Sequence, residues 1–118
     1  LRVPMLYEIM GQQQKALDAY NRIENILLAN EVYDDLLYKK GKLLLSMGYF
    51  QEAKQSFLVL QNAAGEGMWK EEAYFYFAKA AFELDPDSSK EALMEYLISY
   101  PNGFYTEQAR TMYRTFAS

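Results

Sequence analysis

The chain has 118 residues with no cysteine and no histidine, and 12 Lys+Arg against 16 Asp+Glu give a net charge of -4. This excludes disulfides, thiolate and imidazole ligands and any Ser-His-Asp triad built from this chain alone, and the acid excess argues against polyanion binding. Apolar residues reach 51% and aromatics 16%, with 11 Tyr and 7 Phe, so the chain must bury rings in a core rather than stay disordered.

Ala, Leu, Lys, Glu, Gln and Met dominate, Val is scarce, and no alternating run of strand type stands out. The segment opens at Leu1 into an apolar stretch without an initiator Met, which reads as a piece cut from a longer chain or a mature product. A first helix is expected at about 3–10, closed by Gly11, and a second at about 12–29, closed by Asn30. A third, at about 32–47, carries Tyr33, Leu37, Leu44 and Met47 on one stripe, with Gly41 between them. Gly48 separates it from a fourth, about 50–63, where Ala53, Phe57 and Leu60 recur at helical spacing. Gly65-Glu66-Gly67 reads as a turn without the Lys-Ser/Thr of a phosphate loop, and Met68-Trp69 is expected to pack back onto the helices.

A fifth helix is expected at about 69–84, with Ala73, Phe77, Ala80 and Ala81 on one side. Asp85-Pro86-Asp87 breaks it, and Ser88 with Glu91 fits a capping box for a sixth helix at about 89–100, carrying Ala92 and Tyr96. After Pro101-Asn102-Gly103, Thr106 is the expected N-cap of a seventh at about 106–117. Connections this short place neighbours antiparallel. No apolar run approaches the roughly 20 residues needed to span a bilayer.

The most specific signal is internal similarity. Gly11-x4-Ala16-x3-Tyr20 returns as Gly48-x4-Ala53-x3-Phe57, 37 residues later, and Ala92-x3-Tyr96 follows after a further 39. Tyr7 corresponds to Leu44, and Gly41 to Ala78. A small residue midway along a first helix admits a second helix, a Gly ends the first, and the aromatic fills the space between hairpins. These residues resemble the tetratricopeptide repeat (TPR) family, a helix-turn-helix unit of about 34 residues. Leu37, Gly41, Leu44, Gly48, Tyr49, Ala53 and Phe57 take the family's residue types. The first unit has a truncated opening helix. The third lacks the Gly at its turn, Leu84 to Ser88, and the turn is longer. Tyr100-Pro101-Asn102 through Ala109 resembles a junction of one TPR subgroup common in bacterial cell-envelope proteins.

The resemblance implies an all-α fold, an α-solenoid of about three antiparallel hairpins plus a C-terminal capping helix. The repeats would span about 1–31, 32–67 and 68–103, with the last helix at about 105–117. First helices would line a concave groove. Its walls would be Asp35, Tyr38, Lys42 and Leu45 on one helix and Glu72, Phe75, Lys79 and Phe82 on the next, with Glu83 at the edge. Tyr and Phe offer rigid contact area, and Lys42 with Lys79 would receive a carboxylate. The alternative for both lysines is solvation and pairing with neighbouring acids, and for Tyr38, Phe75 and Phe82 it is core packing. The Asn-Lys-Arg clamp of chaperone-binding TPR domains cannot be placed here.

Other constellations read as structure. Asp85 to Glu91 lacks EF-hand spacing, Asp34-Asp35 complements a helix N-terminus, and Lys39-Lys40-Lys42 is a small basic cluster among acids. Tyr100, Phe104, Tyr105 and Tyr113 are expected to seal the last hairpin or to meet a partner. The reading is a non-catalytic interaction module for a protein or peptide partner, without cofactor or metal, without nucleic acid and without membrane insertion. The subgroup resemblance slightly favours the periplasm or cell envelope over the cytoplasm. The competing reading is the helical regulatory or sensor portion of a larger signalling protein or enzyme. Self-association through the open N-terminal repeat is expected as well.

Overall fold

A helix that must double back within two or three residues needs a left-handed residue at its end, and glycine supplies it without steric cost. Gly11 (φ 75) and Gly48 (φ 83) do so in this computed structural model, which describes residues 2–24, 31–62 and 69–116. The two turns share their hydrogen bonds. Gly11 and Gly48 amides donate to Glu8 and Leu45 carbonyls, and Gln12 and Tyr49 amides to Tyr7 and Leu44 carbonyls. That double bond is the Schellman motif. It closes α1 (Arg2–Ile9) onto α2 (Gln13–Glu24) and α3 (Glu31–Met47) onto α4 (Phe50–Gln61).

The chain continues through α5 (Lys70–Leu84), α6 (Lys90–Ser99) and α7 (Thr106–Tyr113). A 3-10 turn at Pro86–Ser89 precedes α6, and another at Arg114–Phe116 follows α7. Among the described residues there are seven α-helices, no strand, and no helix long and apolar enough to cross a membrane. Consecutive helices pack on one another, and α3 also touches α5. This sequential packing gives extents of 44 × 30 × 20 Å. Described helix ends follow the expected ones to within a residue or two, except that α7 stops at Tyr113 and the chain tightens into a 3-10 turn where the helix was expected to run on to about 117. The expected ends at 29, 63 and 117, the turns at Asn30 and Gly65-Glu66-Gly67, and Met68 lie outside the described residues.

Two helix starts differ from expectation. Ser88 does not form a capping box with Glu91: its hydroxyl donates to the Asp85 carbonyl, and that of Ser89 donates to Pro86. The 3-10 turn runs into α6 without a break, so Ser88 lies inside helical geometry rather than ahead of it. Nor is Thr106 an N-cap. Tyr105 holds that place, and Thr106 is the first helical residue. Its hydroxyl instead accepts from the Gly103 amide at 2.8 Å and donates to the Tyr100 carbonyl at 2.7 Å, stapling the loop before α7.

The core forms two joined clusters. The first gathers Ala16, Tyr20, Leu37, Leu44, Ala53, Phe57 and Leu60 from α2, α3 and α4, with Ala73 and Ala80 of α5. The second gathers Phe75 and Ala78 of α5, Leu93 and Tyr96 of α6, and Ala109 of α7. Tyr20, Phe57 and Tyr96, the aromatics of the recurrent spacing, are all fully buried. Burying one such ring contributes about 1.5–3 kcal/mol.

Gly41 of α3 lies directly against the Phe57 ring of α4. A methyl group placed there would stand 2.6 Å from Cζ of Phe57 and 2.8 Å from its Cε1. Gly41→Ala gains about 1 kcal/mol of helix propensity. Overpacking against a buried ring costs about 1–3 kcal/mol. The expected outcome is net loss of stability in urea unfolding, converted to a gain in a Phe57→Leu background where the ring is gone. Stabilisation by Gly41→Ala in the parent chain would show that the contact is not tight.

Candidate functional site

The α3–α5 contact, with the start of α4, leaves a cavity of about 420 Å³ lined by Lys42, Leu45, Ser46, Phe50, Tyr76, Lys79 and Glu83. Three of the expected groove residues, Lys42, Leu45 and Lys79, therefore share one concavity, with Glu83 at its edge. Tyr38 stands beside it, since Lys42 Nζ lies 5.3 Å from the Tyr38 ring centre and 5.4 Å from that of Tyr76. Lys79 Nζ approaches the Tyr76 ring at 5.9 Å. Each such cation–ring contact is worth about 0.5–1 kcal/mol near solvent and holds the ammonium in place.

The other expected residues go elsewhere. Asp35 pairs with Lys39 at 2.8 Å one turn along α3. Phe82 packs edge-on against Phe116, with ring centres 6.4 Å apart. Phe75 is only 1% exposed and does not line the cavity. It stacks on Tyr105 at 4.5 Å and meets Tyr96 edge-on. The residues of α5 that line the cavity are instead Tyr76, Lys79 and Glu83, at i, i+3 and i+7; Glu72, one turn before Tyr76, is not part of its lining. Glu72, Lys79 and Glu83 had already been placed on this side, so the spacing among them was the signal for Tyr76. Hydrophobicity could not separate two adjacent aromatics.

Tyr76 joins both halves of the molecule. Its ring lies 5.6 Å from Phe57, 5.2 Å from Phe75, 5.5 Å from Tyr105 and 6.1 Å from Tyr38. Beyond Tyr38 stands Trp69, stacked at 4.0 Å and 9°, so Trp69 does pack back onto the helices. Each ring pair adds about 0.5–1.5 kcal/mol to the burial itself.

The Tyr105 end of this row is set by a half-buried carboxylate. Glu71 Oε2 accepts from the Tyr96 hydroxyl at 2.8 Å and from the Phe104 amide at 2.8 Å. The Tyr105 amide donates to the Tyr96 oxygen at 3.0 Å. A side chain at Gly103 would collide with Glu71, which explains the small residue. Of the C-terminal aromatics, Tyr105 and Tyr100 thus pack inward, while Phe104 is 92% exposed.

Burial pushes the Tyr38 phenol above its ordinary value against the pull of Lys42, and it raises Tyr105 with help from Tyr76. Burial works to lower the Lys42 pKa, but the Tyr76 and Tyr38 oxygens outweigh it and leave it raised, so the ammonium stays charged. Glu72 is raised by burial, opposed by a backbone hydrogen bond and assisted by Glu71. Among the described residues no group of three or more acidic side chains is placed to hold a metal. The arrangement offers two fixed cations, aromatic walls and an apolar floor. No protein-family model matches the chain, and comparison with curated proteins returns no match.

The Tyr96 phenol is pushed from the ordinary 10.0 to about 12, by burial and by its bond to Glu71. Below pH about 10 it is neutral in folded and unfolded chains alike, and its contribution to stability is whole. Between about 10 and 12 the unfolded chain ionises first, so stability should fall across that window. Urea midpoints measured against pH should be flat up to about 10 and then decline, less steeply in Tyr96→Phe. An equal decline in that variant would remove Tyr96 from the account.

Proposed function

We propose that this chain is a non-catalytic interaction module of the TPR type. In this reading it binds a peptide or partner helix in the concavity between α3 and α5. The observation that carries this is the convergence of Lys42 and Lys79 on one cavity, walled by Tyr76 and Leu45. Neither lysine forms an ion pair among the described residues, so both charges are available to a partner. The matching Gly11 and Gly48 turns, with an alanine and then a buried aromatic after each, support the helical-repeat reading. A fold of stacked hairpins presents extended surface, and specificity then rests with a few side chains.

The test is selection from a displayed peptide library. Peptides with a carboxylate beside an apolar or aromatic residue are expected to be enriched. The double variant Lys42→Glu/Lys79→Glu should bind them roughly tenfold or more weakly while keeping its helical circular dichroism. Peptides that bind parent and variant equally would move the partner surface elsewhere.

A further inference from the structure

Lys42 and Lys79 both lie against the Tyr76 ring, so the place of that ring decides where the two ammonium groups stand. Tyr76 is surrounded by four other rings. Three of them are placed by helices: Phe57 of α4 is seated on Gly41, Phe75 is the preceding residue of α5, and Tyr38 belongs to α3. The fourth, Tyr105, comes from the loop between α6 and α7. It does not line the cavity and meets the Tyr76 ring edge-on from outside it, at 5.5 Å. Its position therefore depends on what holds that loop.

Side-chain burial does not hold the segment before it. Pro101, Asn102 and Phe104 are exposed, and Gly103 has no side chain. Hydrogen bonds hold it instead. Those of the Thr106 hydroxyl, to the Gly103 amide and the Tyr100 carbonyl, tie the loop to itself. Two others reach out of it: the Phe104 amide donates to Glu71 Oε2, and the Tyr105 amide donates to the Tyr96 oxygen. The Tyr96 hydroxyl in turn donates to the same Glu71 oxygen. Both outward ties thus end on one carboxylate, and hydrogen bonds to an ionised acceptor are roughly twice as strong as neutral ones. Glu71 stands five residues before Tyr76 on α5. The helix that supplies the cavity wall also supplies the group that secures the ring bracing it.

We propose that Glu71 is a positioning residue of the Lys42/Lys79 site: it pins the α6–α7 loop so that Tyr105 braces Tyr76, and Tyr76 holds the two ammonium groups in place. That a peptide binds there rests on the reading above; that Glu71 sets the geometry of the site does not. Without the carboxylate, the Phe104 amide and the Tyr96 hydroxyl turn to water and Tyr105 loses its anchor. Tyr76 then gains freedom, and a ligand must order the lysines at the expense of affinity.

Ring-current shifts in proton NMR test this without a ligand. Lys42 and Lys79 have their ammonium groups over ring faces, so their ε-methylene protons should resonate upfield of the ordinary lysine position. Lys54 Nζ lies 5.6 Å from the centre of Phe77, another ring of α5, and is the internal control, because no step of the linkage passes through Phe77. In Glu71→Leu the upfield displacement should shrink at Lys42 and Lys79 and persist at Lys54. Glu71→Gln, whose amide oxygen accepts the same bonds, should keep all three. Peptides selected on the parent should bind Glu71→Leu roughly threefold or more weakly and Glu71→Gln nearly as the parent. Unchanged shifts at Lys42 and Lys79 in Glu71→Leu overturn the proposal. So does an equal loss at all three lysines, which would mean a general loosening of α5. A peptide that Lys42→Glu/Lys79→Glu fails to bind but Glu71→Leu binds as the parent does also overturns it. If no peptide is enriched, the binding reading fails and the shifts alone decide whether Glu71 sets this geometry. If Glu71→Leu loses helicity, Tyr96→Phe removes only the hydroxyl between Glu71 and Tyr105 and should move the same two lysines in the same direction.

Discussion

Phe57 against Gly41 is the contact on which the rest of the arrangement depends. The absence of a side chain at Gly41 lets the ring of α4 reach the backbone of α3, and no other residue type leaves that space. Once seated, the same ring stacks on Tyr76 at 5.6 Å and so sets how α5 lies against the preceding hairpin. Tyr76 in turn faces Lys42 and Lys79 and touches Tyr38 and Tyr105. One missing methyl group is thus linked through two rings to the geometry of the candidate site. Close-packed interiors transmit such constraints because they have little free volume to absorb a shift.

A second organising element is the Glu71 carboxylate. It joins the first turn of α5 to Tyr96 of α6 and to the amide of Phe104. A half-buried carboxylate left without donors would be costly, and two donors, the Tyr96 hydroxyl and the Phe104 amide, converge here instead. The loop between α6 and α7 is consequently held at both ends, by Glu71 and Tyr96 on one side and by the Thr106 hydroxyl on the other. This holds Tyr105 against Phe75 and Tyr76, closing the aromatic row that Trp69 and Tyr38 begin. Part of the aromatic richness of the composition goes into this row and the three recurrent core rings.

Two concavities of the surface differ in their physics. The concavity between α3 and α5 is cationic within a chain of net negative charge, so it stands out locally against the overall field. The groove along α6 carries Asp87, Glu91 and Glu95 against Lys90 alone, over a floor of Met94, Ile98 and Tyr113.

Much of this was legible in the residues themselves. Helix positions followed from periodicity and from the Gly and Pro marks. Gly11 and Gly48 announced left-handed turns, and Ala16, Ala53, Tyr20, Phe57 and Tyr96 announced buried contacts by their spacing. The absence of Cys and His determined from composition alone which chemistries this chain cannot perform by itself. What only the tertiary structure decided was the rotation of α5, which buries Phe75 and turns Tyr76 to the cavity. Successive residues of a helix lie about 100° apart, and two adjacent rings of similar hydrophobicity leave that angle open. Likewise Thr106 and Ser88 had the right chemistry for caps, but their hydroxyls found carbonyls set by the incoming loop and the 3-10 turn. The Glu71–Phe104 bond spans 33 residues of sequence, and the Tyr38–Trp69 stack spans a similar distance. Local pattern carries no information about pairs so far apart, and packing alone brings them together.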